Sequence, residues 1–173
     1  GRIKIEKRWY NNGMKIFIGT DHAGYVLKEK LVSSLKAAGD EVIDKGAFGY
    51  DEHDDYPDFV IPVAEGVSKD SNHAKGIILG ATGQGEAITA NKFPHVRAVV
   101  YYGKSHSVVD DEADVIVRSR EHNDANILSL GARFITEGDA IKAVKLFLYT
   151  PFTNEERHLR RIKKIEQIAQ NNR

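Results

Sequence analysis

Apolar and polar positions alternate along the chain in two regular patterns. From Met14 onward, short runs rich in β-branched residues are followed by longer segments with the apolar spacing of helices. This alternation is typical of βαβ units, in which helices cover both faces of a parallel sheet. We expect strands over residues 15–19, 41–44, 76–79, 97–101 and 127–130. The pattern therefore predicts an α/β fold: a three-layer αβα sandwich, Rossmann-like, around a five-stranded parallel sheet.

The segments between these runs carry the predicted helices. Leu27, Leu31 and Leu35 share one helix face, and Gly39 stands where a left-handed C-cap is expected. Four further helices are expected: over about 57–67, from about 86, up to about 120, and over about 137–148. A last helix, over 154–170, has an apolar stripe flanked by Arg and Lys. It can pack on its own domain or reach over a neighbouring subunit, and the pattern leaves both open.

Length and charge narrow the classes of function. The 173 residues suit a single domain over 14–173, and we interpret the basic, aperiodic residues 1–13 as an N-terminal extension or a remnant of expression. Lys and Arg total 25, as do Asp and Glu, so the overall charge calls for neither nucleic acid nor an anionic membrane as partner. The lack of cysteine excludes thiolate chemistry and fits a cytoplasmic protein. No apolar run approaches the roughly 20 residues that span a bilayer.

Polar residues follow the predicted strands, where ligands bind in parallel α/β sheets. Asp21 and His22 come directly after the first strand. A carboxylate beside an imidazole can handle the hydroxyls and the ring oxygen of a sugar. The alternative is that Asp21 only caps the next helix and His22 is solvated.

A glycine-rich turn with Gly83, Gln84 and Gly85 follows the third strand and leads into a helix. Such turns point several backbone N–H groups in one direction and bind anions. Glu86 stands at its rim, and a carboxylate beside an oxyanion hole suits proton abstraction next to a carbonyl. Aldose–ketose isomerisation is that reaction, and we expect no cofactor and no metal. As an alternative, Glu86 is an ordinary glutamate of a first helical turn.

Other polar segments leave more alternatives open. His122, before the fifth strand, could transfer protons at neutral pH, and Arg133, after it, could bind a phosphate. A histidine at a helix end can equally be a C-terminal cap. The acidic run 51–55 is interpreted as a solvated loop rather than a divalent-metal cluster. The glycine-rich turn lacks the third glycine of a dinucleotide fingerprint, because Ile88 stands there.

Taken together, these motifs resemble ribose-5-phosphate isomerase of the B type and the related isomerases of galactose 6-phosphate and allose 6-phosphate. The matching segments run in order from about Met14 to about Ile165: residues 19–24, 55–57, 83–86, 90–92, 120–126 and 157–158. One branch of this family uses a cysteine as base where this chain has Gly80. A second branch uses a glutamate at the position of Glu86, so the resemblance implies Glu86 as base.

The resemblance also implies roles for other residues and a shared active site. Thr82 joins Gly83, Gln84 and Gly85 in the anion hole. The residues implied in sugar binding and ring opening are Asp21, His22, His122 and Asn123. The residues implied in binding phosphate are Arg133, Arg157, His158 and Arg161, the last three from the partner subunit, so a homodimer or tetramer is expected in which the terminal helix reaches the partner.

The identity of the sugar is less firmly implied. The segment 102–114, with acidic residues 110–112, is longer than its usual counterpart in the family. The resemblance implies ribose 5-phosphate, a substrate of the pentose phosphate pathway, and the longer segment leaves a six-carbon sugar phosphate as the alternative. A nucleotide-dependent oxidoreductase and a non-catalytic sugar-phosphate binder stay open as other classes of function.

Overall fold

The computed structural model describes residues 14–104, 107–109 and 114–171. The proposed extension 1–13 and the acidic residues 110–112 of the long segment lie outside this part of the chain. Within it, five strands form one parallel sheet: β1 Lys15–Thr20, β2 Glu41–Asp44, β3 Ala74–Gly80, β4 Ala98–Tyr101 and β5 Ile127–Gly131. Their order across the sheet is β2-β1-β3-β5-β4. The predicted parallel sheet is confirmed, and the predicted strand bounds agree with these to within two residues.

Helices connect the strands: α1 Tyr25–Ala37, α2 Pro57–Lys69, α3 Gln84–Ala90, α4 Val115–Asn123, α5 Glu137–Tyr149 and α6 Glu156–Asn171. Gly39 ends the first of them with φ +88°, the left-handed conformation predicted for it. The side chain of Asp114 caps α4 by accepting from Ile116 N and Val117 N, and Thr136 caps α5. None of the helices within the described ranges combines the length and the apolar character needed to cross a membrane.

The sheet is buried on both faces, which places the core in two layers. Ile77 and Leu79 of β3 pack with α1, α4 and α5, whereas Ile78 between them packs with α2 and α3. Successive side chains of a strand point to opposite faces, so an uninterrupted apolar run serves both layers. All seven residues of β3 are buried. The three-layer sandwich predicted from these runs is confirmed.

The terminal helix α6 packs against its own chain on one side only. Glu166 accepts a hydrogen bond of 2.7 Å from Arg97 Nη1, just before β4, and lies 2.9 Å from His95 Nδ1. The apolar stripe is left largely open, with Leu159 46%, Ile165 49% and Ile168 62% exposed. The helix α6 therefore packs on its own domain through part of its surface and leaves much of its apolar stripe exposed.

Candidate active site

The carboxyl ends of three neighbouring strands meet at one edge of the sheet. Thr20 of β1 is paired with Leu79 of β3, and Gly80 of β3 is paired with Gly131 of β5. The loops after β3 and β5 also bond to each other, because Arg133 N donates to the carbonyl oxygen of Ala81 at 3.2 Å. We use the name carboxyl-end site for the following residues: Asp21, His22, Asp54, residues 80–86 and Arg133.

The glycine-rich turn forms the tightest part of this site. Gly83 has φ +74°, which favours glycine, and its carbonyl oxygen accepts from Ser129 Oγ at 2.7 Å. A side chain on Gly85 would meet the ring of Tyr56 at 2.6 Å. Thr82 and Gln84 are exposed, and the Thr82 hydroxyl accepts from Gln84 N at 3.2 Å. The turn lies at the carboxyl end of β3, where the sequence predicted an anion-binding turn, and the binding of an anion by its backbone stays a prediction.

Glu86 lies in the first turn of α3 and is only 4% exposed. Its carboxyl group fills the space beside Gly80, where an added Cβ would overlap the Glu86 oxygens. Burial raises the pKa of Glu86 above its usual range, and the charge of Asp21 adds to this rise, while a backbone hydrogen bond opposes it. A surface glutamate of a first helical turn would not be buried in this way, so the structure favours the hypothesis of a functional carboxyl.

Asp21 caps a short helix and is also buried, so the cap does not exclude the predicted role in sugar binding. Its carboxylate accepts from Ala23 N at 3.0 Å and so caps the short 3₁₀ turn His22–Gly24. It is also 7% exposed, and burial raises its pKa despite that hydrogen bond. A cap on the surface would stay well hydrated, whereas this carboxylate is buried near two other ionisable groups. The charge of Arg133 acts to lower the pKa of Asp21, and the charge of Asp21 raises the pKa of Glu86.

His22 is not simply solvated, because it is bonded to Asp54. Asp54 Oδ1 lies 2.7 Å from His22 Nδ1 and accepts from His22 N at 3.0 Å. The hydrogen bond to Asp54 raises the pKa of His22. Asp54 was not predicted as a site residue, because the whole run 51–55 was interpreted as a solvated loop. That interpretation holds for Asp51, whose side chain is exposed, but is wrong for Asp54.

Asp21, His22 and Asp54 offer three ligand atoms within 4.8 Å of one another, which is close enough for a metal ion. The 2.7 Å separation of His22 Nδ1 and Asp54 Oδ1 is a hydrogen-bond distance, so these two atoms are paired with each other without a cation. The prediction of a metal-free site stays a prediction.

Five predicted site residues lie at the opposite end of the sheet. The helix α4 runs back from β4 and ends at Asn123, next to the start of β5. The carbonyl of Asn123 accepts from Arg97 Nε at 2.9 Å, just before β4 begins. Since strands start at this edge, these residues are separated from Glu86 by the length of the sheet. We use the name amino-end cluster for His122, Asn123, Arg157, His158 and Arg161.

Within this cluster the rings of His122 and His158 are stacked, with centroids 4.4 Å apart and planes at 15°. His158 is 2% exposed, its Nε2 has no hydrogen-bond partner among the described residues, and burial lowers its pKa. Arg157 and Arg161 are exposed. The grouping differs from the one implied by resemblance, which placed His122 and Asn123 with Asp21 and only the residues of α6 on the partner. In this chain His122 belongs with His158.

Comparisons with known proteins cover nearly the whole chain. The family model described as Ribose/Galactose Isomerase matches residues 16–165. Ribose-5-phosphate isomerase B of Mycobacterium tuberculosis (strain H37Rv) is 39% identical over 151 residues, which cover 87% of this chain and 87% of the relative. The protein of the same name from Escherichia coli (strain K12) is 36% identical over 156 residues, 90% of this chain and 97% of the relative.

Solved structures agree with the sequence relatives. Ribose-5-phosphate isomerase B of Mycoplasma genitalium, with bound ribulose 5-phosphate, matches with a TM-score of 0.83 at 36% identity and covers 91% of this chain and 97% of its own. The Clostridium thermocellum protein matches with a TM-score of 0.80 at 42% identity, over 92% of this chain and 100% of its own. The family resemblance inferred from the motifs is confirmed. The chain belongs to the ribose/galactose isomerase family and is an aldose–ketose isomerase.

Proposed function

We propose that this enzyme interconverts ribose 5-phosphate and ribulose 5-phosphate, with Glu86 as the base. The observation that carries this proposal is the buried carboxyl of Glu86 at the rim of the glycine-rich turn. Two relatives and two structural neighbours are ribose-5-phosphate isomerases of the B type, and one neighbour holds ribulose 5-phosphate. Their substrate is the best guide to the substrate of this chain.

The chemistry needs one base and one set of donors. Glu86 takes the proton from C2 of the open-chain aldose, and the electron pair of that bond moves through C1 onto the carbonyl oxygen. Backbone N–H groups of the turn 82–85 hold the oxygen as its charge develops. The protonated Glu86 then delivers the proton to C1, while the hydroxyl proton at O2 moves to O1, which yields the ketose. The raised pKa of Glu86 suits a group that must both accept and return a proton.

Ring opening precedes this step and needs groups beside the sugar ring. Asp21 and His22 lie in the carboxyl-end site with Glu86, so they would bind the sugar hydroxyls and the ring oxygen. Arg133 is exposed at the same edge and would bind the phosphate. These assignments use only residues that one chain brings together.

The amino-end cluster would complete the site from a second subunit. Its exposed guanidinium groups suit a phosphate, but within one chain they lie at the far end of the sheet from Glu86. In a two-fold dimer, a contact between the carboxyl end of one copy and the amino end of the other occurs twice. The open apolar stripe of α6 supports such an interface. We therefore infer a homodimer with shared sites, alone or paired into a tetramer. We separately infer a location in the cytoplasm.

The direct test replaces Glu86 by Gln, which keeps the shape and removes the base. We expect turnover of ribose 5-phosphate, without added metal, to fall by about 10²–10⁴-fold with binding retained. The control is Glu65→Gln, since Glu65 is an exposed glutamate on α2. A fully active Glu86→Gln enzyme would show that another group is the base. An inactive parent would send the search to six-carbon sugar phosphates.

A further inference from the structure

The carboxylate of Asp54 is the one buried acid of the carboxyl-end site that the mechanism above leaves without a role. Its side chain is 10% exposed, against 23% for the His22 ring beside it. One oxygen, Oδ1, receives both the backbone N–H and the ring Nδ1 of His22. The other, Oδ2, is buried and has no hydrogen-bond partner among the described residues.

This arrangement is costly unless Asp54 and His22 act as a pair. A buried carboxylate with an unsatisfied oxygen is unfavourable, and a positive charge on the neighbouring imidazole offsets that cost. The loop has hydrogen bonds of its own, because Asp51 accepts from His53 N at 3.0 Å and from Asp54 N at 3.1 Å. The contact instead fixes how the His22 ring is oriented.

We infer that Asp54 is a positioning residue, which holds the hydrogen of His22 on Nδ1 and thereby leaves Nε2 as the ring nitrogen available to an oxygen of the sugar phosphate. The inference rests on the proposed function only for the identity of that oxygen. The tautomer and the orientation of the ring follow from the contact itself. A histidine has one hydrogen to place when neutral, and a carboxylate at Nδ1 decides where it goes.

Among the described residues, Asp21 and Asp54 favour the charged form of His22 and Arg133 disfavours it. The Tyr50 ring lies edge-on to the His22 ring, with centroids 6.1 Å apart. When the charge of Asp54 is removed, only Asp21 still raises the pKa of His22, and Arg133 still lowers it. The pKa of His22 must therefore fall. Whether His22 acts as a cationic donor or as a neutral base, the limb of the pH–rate profile that it controls then moves to lower pH.

The first test is an NMR titration of the His22 imidazole, assigned with His22→Gln. We expect Asp54→Asn to lower the pKa of His22 by about one pH unit. The matched control, Asp51→Asn, removes the same charge from the same loop and should leave the pKa in place. If Asp54→Asn fails to fold, ¹⁵N shifts of the unaltered protein decide: neutral His22 should carry its hydrogen on Nδ1. An unmoved pKa, or a hydrogen on Nε2, overturns the inference.

The second test uses activity and a double variant. Asp54→Asn should move one limb of the kcat/KM profile to lower pH, and His22→Gln with Asp54→Asn together should lose no more activity than His22→Gln alone. Additive losses, or an unmoved limb, would mean that Asp54 acts independently of His22. Should the parent fail to turn over ribose 5-phosphate, the proposed function fails while the titration still decides the role of Asp54.

Discussion

The carboxyl-end site and the amino end of the sheet bury opposite charges. In the carboxyl-end site the buried ionisable groups are acids, with Asp21 7% and Glu86 4% exposed, whereas the buried Lys28 next to the site is paired with Asp44. Near the amino end they are bases, with Lys75 7% and Arg120 4% exposed. A formal net charge of zero conceals this separation. The acids suit proton transfer, and the bases with the exposed arginines of α6 suit the binding of an anion. The conversion of a sugar phosphate needs both kinds of group.

Mixing two inactive variants would test whether each active site combines the carboxyl-end site of one subunit with the amino-end cluster of the other. Glu86→Gln damages only the carboxyl end, and Arg157→Ala with Arg161→Ala damages only the amino end. Half of randomly mixed dimers are hybrids with one intact site, so mixing should restore about a quarter of the parent activity. The measurement is turnover after the variants have exchanged subunits.

The control mixes Glu86→Gln with Asp21→Asn, which both damage the carboxyl end, and no activity should return. Hybrids that form, as seen by native mass spectrometry, yet stay inactive in the first mixture would place each site within one chain. That result would mean that Arg157 and Arg161 support activity only within their own subunit.

Gly80→Ala would test the position of Glu86 at the carboxyl end alone. The added Cβ would overlap the Glu86 carboxyl, which is the far end of a flexible side chain, so the carboxyl should move while the fold survives. We expect kcat to fall about 10²-fold, because a displacement of this kind misaligns a base. Gly138→Ala is the control, since a Cβ there meets nothing within 4 Å. Unchanged kcat in Gly80→Ala would contradict the position assigned to Glu86.

The buried positive charges near the amino end should make the free energy of unfolding depend on pH. Lys75 Nζ donates to the Leu148 carbonyl at 3.2 Å, and burial, reinforced by Arg120, lowers the pKa of Lys75 from 10.5 to about 8. Between these values the unfolded chain binds the extra proton, so stability rises with pH across this window. Below it Lys75 costs up to about 3 kcal/mol.

Lys75→Met should therefore flatten the rise in the free energy of unfolding between pH 8 and 10.5, as measured by urea denaturation at several pH values. The exposed Lys36 provides the control, and Lys36→Met should keep the slope of the parent. Equal slopes for the parent and Lys75→Met would mean that Lys75 keeps its proton in the folded protein up to its ordinary pKa.

The sequence predicted the sheet and most of the carboxyl-end site because both depend on local order. Apolar runs give strands, and residues that follow strands of a parallel sheet meet at one edge. Asp54 was missed because the acids of its loop look alike until the fold brings one of them to His22. The stack of His122 on His158 joins α4 to α6, and no spacing along the chain predicts such a contact. Arg97 was placed in a strand, but its N–H is bonded to Asn126 Oδ1 at 2.8 Å, before β4 begins.

The missing side chain at Gly80 leaves the room in which the Glu86 carboxyl lies. In this backbone a Cβ at residue 80 would overlap the carboxyl oxygens, so a side chain at residue 80 and a glutamate in this orientation exclude each other. Glycine at residue 80 is therefore a condition for the position of the proposed base, and the site depends on a residue that has no side chain.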